Sequence, residues 1–363
     1  MPLITATAAM PPEAMSDDTR LICPTPIGQY AQIVMAHGGG GRLMQQLLER
    51  LVRPAFANPH LDQRHDSAVL DVGGKRLAFT TDGYVVKPLF FPGGDIGKLA
   101  VCGTLNDLAM SGAKPLFLSA ALVIEEGFPV DDLARVLASM NAAAQAAGTA
   151  IVTGDTKVVE NGKGDGLYIA TSGIGLIEHD LQIAPAGIRE GDAILLSGDI
   201  GRHGVAIIAE REGLGFETTV ESDCADLSGL VGQLLAAGVE LHCLRDLTRG
   251  GLAAAVLELA RDAGFDMELN EDAIPVAAPV RGACEILGFD PLYVANEGRM
   301  VLFVPASAVD RAMDVLHAHP LGRDASLIGR VGAAGEGRVG LRKPYGIVRV
   351  LDLPSGEQLP RIC

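Results

Sequence analysis

The chain has no tryptophan and few aromatic residues of any kind, 5 Tyr and 10 Phe among 363 positions. Its cores must therefore be built from Leu, Val, Ile and Ala. No apolar run approaches the ~20 residues that a membrane-spanning helix requires, which argues against a membrane protein. The six cysteines, at 23, 102, 224, 243, 284 and 363, are scattered, and no C-x-x-C pair occurs. That spacing disfavours a zinc ribbon or a thioredoxin-like site and fits a reduced, cytoplasmic setting. Positive charge is also scarce. Against 45 acidic residues stand 29 basic ones, a formal charge of −16, and so acidic a surface repels a phosphate backbone, so nucleic acid is not an expected partner. The first twenty residues lack an early basic region and carry Pro11, Pro12, Glu13, Asp17 and Asp18. A flexible extension over 1–30 is expected there rather than a secretory signal. Missing too are a Walker A loop, a clean G-x-G-x-x-G and a G-x-S-x-G elbow. His317 and His319 form an H-x-H with no further ligand at zinc spacing.

What is present fits a well-packed α/β protein, with 48% hydrophobic residues and a mean hydropathy of +0.27. The length suits two domains, expected at 31–185 and 186–345 around a hinge at Pro185-Ala186-Gly187, with a mobile tail over 346–363. In the first half, short apolar runs predict strands at 68–70, 77–81, 116–124, 150–153 and 167–176. Helices are predicted at 42–53, 96–111 and 131–147, the last capped by Asp131, stopped by Gly148 and carrying the stripe Leu133, Val136, Leu137, Met140 and Ala144. The second half predicts strands at 193–197 and 300–304 and helices at 202–212, 227–237, 249–263 and 309–317. This alternation suggests a second α/β unit.

Several groups of residues suggest chemistry. His37-Gly38-Gly39-Gly40-Gly41-Arg42 precedes an amphipathic segment. Successive glycines let backbone N–H groups converge on an anion, so the run is read as a phosphate cradle, with an ordinary flexible loop as the alternative. Asp66, Asp82, Asp107 and Asp155 each stand at the end of an apolar run or beside small residues. Carboxylates gathered at strand ends of an open sheet would bind Mg²⁺ through oxygen, although each alone also suits a turn. Asn106 and Asp107 interrupt an otherwise apolar helix, and a buried polar pair there needs partners. Together with Thr156, these groups suggest a Mg²⁺–nucleotide site. Lys157 reads as a phosphate clamp, a base or a solvated strand lysine. The stretch 246–251, Asp-Leu-Thr-Arg-Gly-Gly, reads as a helix start capped by Thr248 or as the lining of a cleft, and 296–299, Asn-Glu-Gly-Arg, is equally compatible with a plain turn.

The chain ends Leu359-Pro360-Arg361-Ile362-Cys363. Pro354, Gly356 and Pro360 are expected to interrupt helix or strand, and the extended tail from Gly346 reaches roughly 55 Å, enough to cross a domain or enter a neighbouring subunit. A terminal thiol on such a tail can visit more than one partner.

The runs H-G-G-G-G-R at 37–42, H-D-S-A-V at 65–69, T-T-D-G at 80–83, L-N-D-L-A-M-S-G-A-K-P at 105–115, G-D-T-K-V-V at 154–159, D-L-T-R-G-G-L at 246–252, N-E-G at 296–298 and the terminal P-R-I-C together resemble the HypE family of hydrogenase maturation proteins. The likeness runs from about residue 30 to the end. T-D-G and N-D-L are shared with the wider group of aminoimidazole-ribonucleotide synthetase, selenophosphate synthetase and thiamine-monophosphate kinase; the terminal P-R-I-C is particular to HypE. The resemblance implies a two-domain aminoimidazole-ribonucleotide-synthetase-like α/β fold, usually dimeric, holding ATP between subunits and domains. It implies that a HypF-like carbamoyltransferase loads Cys363 and that ATP then drives dehydration of the S-carboxamide to a thiocyanate. The cyanide would pass to iron on a HypC–HypD-like scaffold and become a ligand of [NiFe]-hydrogenase. In that scheme Asp66, Asp82, Asp107 and Asp155 position Mg²⁺ and phosphate, and the glycine run cradles phosphates. Lys157 touches phosphate or helps remove a proton, and Cys363 carries the substrate. Two other readings stay open: a kinase of the same superfamily acting on a diffusible molecule, and an interaction module whose tail is a docking peptide.

Overall fold

The computed structural model describes residues 32–214, 219–354 and 361–363. The expected extension at 1–30 lies outside these residues. Two sheets organise the chain. The first has the order β1-β2-β7-β5-β6, from β1 (Ala68–Val72), β2 (Lys75–Tyr84), β5 (Lys114–Glu125), β6 (Ile151–Val159) and β7 (Leu167–Ile177). A small ribbon pairs β3 (Phe90–Phe91) with β4 (Gly94–Asp95). The second sheet has the order β14-β13-β10-β12-β8-β11-β9. It comprises β8 (Ala193–Leu196), β9 (Cys243–Asp246), β10 (Phe265–Asn270), β11 (Met300–Val304), β12 (Ser326–Ala334), β13 (Val339–Arg342) and β14 (Val348–Val350).

The helices among the described residues are α1 (Arg42–Leu47), α2 (Arg53–Ala55), α3 (Ile96–Met110), α4 (Val130–Ala146), α5 (Arg202–Glu212), α6 (Ser228–Ala236), α7 (Gly251–Ala263), α8 (Ala278–Leu287) and α9 (Val309–Ala318). α1 and α2 are joined by a π turn over Leu48–Val52, so the predicted helix at 42–53 forms with one widened turn.

Strand alternation explains how each sheet is covered. In β8, Ile194 and Leu196 join one apolar cluster with α7, while Ala193 and Leu195 join another with α6 and α9. Successive side chains point to opposite faces, so this sheet is buried on both. The first sheet is covered on one face by α3, whose residues Leu99 to Met110 are almost wholly buried. Its other face leaves Phe79, Phe117 and Ile174 exposed.

Several predicted boundaries are corrected. The cap residue of α4 is Pro129, with Asp131 inside the first turn. Carboxylates there favour the positive end of the helix without capping it. Leu137, read as part of the buried stripe, is exposed. The cap residue of α7 is Gly250, which has φ +78°, rather than Thr248. Pro185–Gly187, the expected hinge, is a 3-10 turn preceded by Ala184, whose N–H donates to the His242 carbonyl at 3.1 Å. β9, β10, β12, β13 and α8 had no expected counterpart. Nor did β14, which lies inside the tail, beyond which Leu351 and Leu353 are buried.

Candidate active site

A cavity of about 490 Å³ opens between the two sheets, lined by Gly40, Asp66, Asp82, Asp107, Asp246 and Arg249 among others. Asp66 precedes β1, Asp82 is near the end of β2, Asp107 projects from α3, and Asp246 ends β9. Asp66, Asp107 and Asp246 each offer an oxygen within 4.8 Å of the others. Thr80 donates to Asp107 Oδ2 at 2.7 Å, and Arg245 pairs with Asp66 at 3.0 Å.

The electrostatics divide this group. Burial alone would raise Asp66, but Arg245 and then His65 outweigh it and hold the carboxyl below its ordinary range. Asp107 is pushed well up, by burial first and then by the charges of Asp246, Asp66 and Asp82. Asp246 is raised by burial and by Asp66. Carboxylates crowded in this way cost free energy unless a cation joins them. All the donors are hard oxygens, which suits Mg²⁺; Asp66, Asp107 and Asp246 would hold it, with Asp82 on the same wall.

A second cavity, of about 740 Å³, adjoins the first, and Arg249 lines both. The chain end lies here: Arg361, Ile362 and Cys363 form part of its wall, with Gly38, Gly39 and Val85. The expected freedom of the tail does not describe these three residues, because the Val85 N–H donates to the Cys363 carbonyl at 3.1 Å and Ile362 is buried. Arg249 is exposed on the cavity wall, and its guanidinium is raised first by the charge of Cys363, then by Asp82 and Glu297 against the cost of burial.

The remaining expected site residues are placed as follows. His37 ends a short 3-10 turn, is buried, and its Nδ1 lies 3.0 Å from the Val34 N–H. Gly40 takes φ +73°, and a Cβ there would come within 2.8 Å of the Arg249 carbonyl; one on Gly41 would meet the Pro354 carbonyl at 2.7 Å. Gly40 and Gly41 thus allow close backbone packing, and Arg42 pairs with Asp352 at 2.6 Å. Asn106 is buried, with Oδ1 accepting from Leu227 N at 2.8 Å and Nδ2 donating to the Ala225 and Glu297 carbonyls. Its amide therefore joins α3 to the second half of the chain.

Asp155, Thr156 and Lys157 lie within β6 rather than at a strand end, exposed, with Lys157 Nζ 2.6 Å from Asp155 Oδ2. They are not among the residues lining the acidic cavity. In a single chain, Asp155 stands apart from the carboxylate cluster.

Two residues outside the expected site set acquire a place. Asp246 completes the cluster. Glu297 is buried, its Oε1 makes no hydrogen bond among the described residues, and its carboxyl is raised well up, by burial first and then by Asp246, Asp223 and Asp82. An apolar strand just after N-E-G was the available signal, since it draws the preceding carboxylate inward.

Comparison with known proteins gives the class first. Residues 64–177 match the family "AIR synthase related protein, N-terminal domain" and residues 189–342 match "AIR synthase related protein, C-terminal domain". The fold is the two-part α/β arrangement of that class. The chain is 54% identical over 331 residues to carbamoyl dehydratase HypE of Azotobacter vinelandii, covering 91% of this chain and 97% of that one. It resembles the solved HypE–HypF complex with TM-score 0.81 and 44% identity, over 85% of this chain and 99% of that one. A solved HypE in complex with ATP matches with TM-score 0.77 and 45% identity, over 92% of this chain and 100% of that one. The chain belongs to the HypE family of hydrogenase maturation proteins, the carbamoyl dehydratases.

Proposed function

We propose that the chain binds ATP with Mg²⁺ in the acidic cavity and dehydrates an S-carboxamide on its own Cys363 to a thiocyanate, which supplies the cyanide ligands of [NiFe]-hydrogenase. The observation that carries this reading is the seating of the terminal cysteine in a cavity that shares Arg249 with the carboxylate cluster. A kinase for a diffusible substrate has no use for that placement. A mere docking peptide has no use for the buried carboxylates.

An amide oxygen is a poor leaving group. Phosphorylation by ATP converts it into part of a phosphate, which departs as the nitrogen gives up its protons. The products are thiocyanate, ADP and phosphate. Bound Mg²⁺ would neutralise phosphate charge. The residues of the chain then have three tasks. Asp66, Asp107 and Asp246 hold the cation, with Asp82 beside them. Arg249 offsets negative charge where the tail meets the nucleotide. Glu297, buried with an Oε1 that makes no hydrogen bond among the described residues and subject to the charges of Asp246 and Arg249, is the group within this chain put forward to take an amide proton.

Lys157 and Asp155 enter the site from a second copy in this reading. β6 is an edge strand, exposed over 152–158 and carrying Val152 and Val158 in the open. An exposed edge with apolar side chains beside a bare sheet face is expected to be covered, and a homodimer covers it. A HypF-like carbamoyltransferase would load Cys363, a HypC–HypD-like scaffold would take the cyanide, and the cytoplasm is the expected location. The division into domains at 31–185 and 186–345 is retained as part of this proposal.

The test is intact mass after incubation with carbamoyl phosphate, a HypF-like partner, ATP and Mg²⁺. The C-terminal peptide should gain roughly 43 Da and then fall to a gain of roughly 25 Da, as covalent carriage and loss of water require. A first adduct that ATP never converts would leave Cys363 a carrier and refute the dehydratase.

A further inference from the structure

The last three residues are held by more contacts than a terminus needs. Backbone donors, two side chains of one helix, and groups that meet the Arg361 and Ile362 side chains all contribute. Backbone donors take its carbonyls: Val85 N–H to Cys363 O at 3.1 Å and Lys87 N–H to Arg361 O at 3.2 Å. Two side chains from α5 add to these. Arg211 Nη2 donates to the Arg361 carbonyl at 2.6 Å, while its Nε donates to the Lys87 carbonyl at 2.8 Å. His203 Nε2 bonds the Ile362 carbonyl. A carbonyl only accepts, so the proton is on Nε2 and Nδ1 is left to accept from the Ser222 hydroxyl at 2.8 Å. Ser222 Oγ in turn accepts the Cys224 N–H at 3.1 Å, and Phe91 meets the His203 ring edge-on with centroids 5.5 Å apart. Ser222 and Phe91 thus fix the orientation of the imidazole, and the Ile362 carbonyl selects its tautomer.

Two contacts read side chains instead of backbone. Asp165 pairs with Arg361 at 2.8 Å. Ile362 is 6% exposed and belongs to the apolar cluster of Val86, Phe91, Val205 and Val294. Arg361 itself adopts φ +56°, a left-handed conformation that a non-glycine residue holds only when its surroundings enforce it.

We propose that Val85, Lys87, Asp165, His203 and Arg211, with the apolar pocket under Ile362, form a sequence-reading site for a peptide end of the type Arg–apolar–Cys, and that this site positions the substrate-bearing thiol. The inference rests on the proposed role of Cys363 as carrier and deepens it by naming what holds the carrier. His203, Arg211 and the two amides bind any backbone; Asp165 selects the basic side chain; the pocket selects the branched apolar one. With this clasp closed Cys363 is half-buried, so the rate at which its thiol reacts reports how firmly the clasp holds.

The test uses the full-length protein and needs neither ATP nor a donor. The rate at which a bulky polyethylene-glycol maleimide labels Cys363 is followed on the C-terminal peptide by mass. Ile362→Gly and Arg211→Leu should each speed labelling about tenfold, Asp165→Asn about threefold, and Ile362→Val should stay near the parent rate. A synthetic pentapeptide ending Arg-Ile-Ser, added in excess, should speed labelling of the parent by competition, whereas the same composition ending Ile-Arg-Ser should not. An unchanged thermal midpoint shows that each variant is folded. Rates within twofold of the parent in both Asp165→Asn and Ile362→Gly would overturn the clasp. Slow labelling in a protein that never forms thiocyanate would refute the proposed chemistry and leave the clasp standing, so the two failures are distinct.

Discussion

The two sheets treat their faces oppositely. β8 and β11 are buried at every position, one set of side chains under α7 and the other under α6 and α9. β6 is exposed at seven consecutive positions, from Val152 to Val158. The aspartates follow the same division. Asp107 and Asp246 lie deep in the molecule with their carboxyls raised, whereas Asp155 is in the open, where hydrogen bonding from Lys157 lowers its carboxyl. The same residue type therefore ends in two states. The buried carboxylates, gathered from both halves of the chain, would hold a cation as they stand, and the bare strand supplies groups that acquire a role only when something covers them.

The largest effect expected is at the buried end of this comparison. Asp107→Asn keeps an acceptor for the Thr80 hydroxyl but removes a ligand and one charge from the crowd. Turnover should fall by about two to three orders of magnitude, while the apo protein becomes no less stable. Mg²⁺ should raise the thermal midpoint of the parent and not that of the variant. A variant that loses activity together with stability would show that Asp107 is structural.

Much of this was legible in sequence, and the gaps have physical causes. Strands β1, β2, β5, β7, β8 and β11 announce themselves because each is a compact apolar run, and α5 and β11 were bounded to the residue. β10, β12 and β13 mix glycine and charge with their apolar residues, since they lie toward the other edge of the second sheet, and so gave no periodic signal. Three of the four aspartates singled out line one cavity. The fourth carboxylate of that wall, Asp246, lies in a motif that reads as well as a helix start as it does as a cleft lining. Gly40 and Gly41 were recognised as special, but what they accommodate is the Arg249 and Pro354 backbone, a close approach between residues some 200 to 300 positions apart that no local pattern reports. Gly154 is similar, since a Cβ there would sit 2.2 Å from the Ala120 carbonyl across the β5–β6 pairing.

The bare end of the comparison is tested by complementation. If β6 of one copy completes the cavity of the other, Asp107→Asn and Lys157→Met chains should each be inactive alone. Mixed in equal amounts and reassembled, they should regain about a quarter of parental activity, because half the dimers are mixed and each contains one intact site. Val158→Lys, which puts a charge on the exposed edge, should shift the protein toward a single copy in sedimentation and lower activity as far as Lys157→Met does. No recovery on mixing two inactive chains would refute completion of one cavity by the other copy, and an active Lys157→Met chain would place Lys157 outside the reaction.

The smallest effect separates the clasp from the site it serves. Burial holds the His203 imidazole below its ordinary value, against the opposing pull of the Ile362 carbonyl and the charge of Asp223. The unfolded chain then takes up a proton at a higher pH than the folded one. The stability due to neutral His203 is therefore complete above about 6.5 and is lost as pH falls through 6.5 toward the folded value. His203→Gln retains a donor for the Ile362 carbonyl and cannot be charged. Its thermal midpoint should lie about 1–2 °C below the parent at pH 8, and the gap should close as the pH approaches 5.5. A gap that widens in acid would mean that His203 is held protonated, with both ring nitrogens donating. Ser222 would then have to accept from the ring and from the Cys224 N–H together.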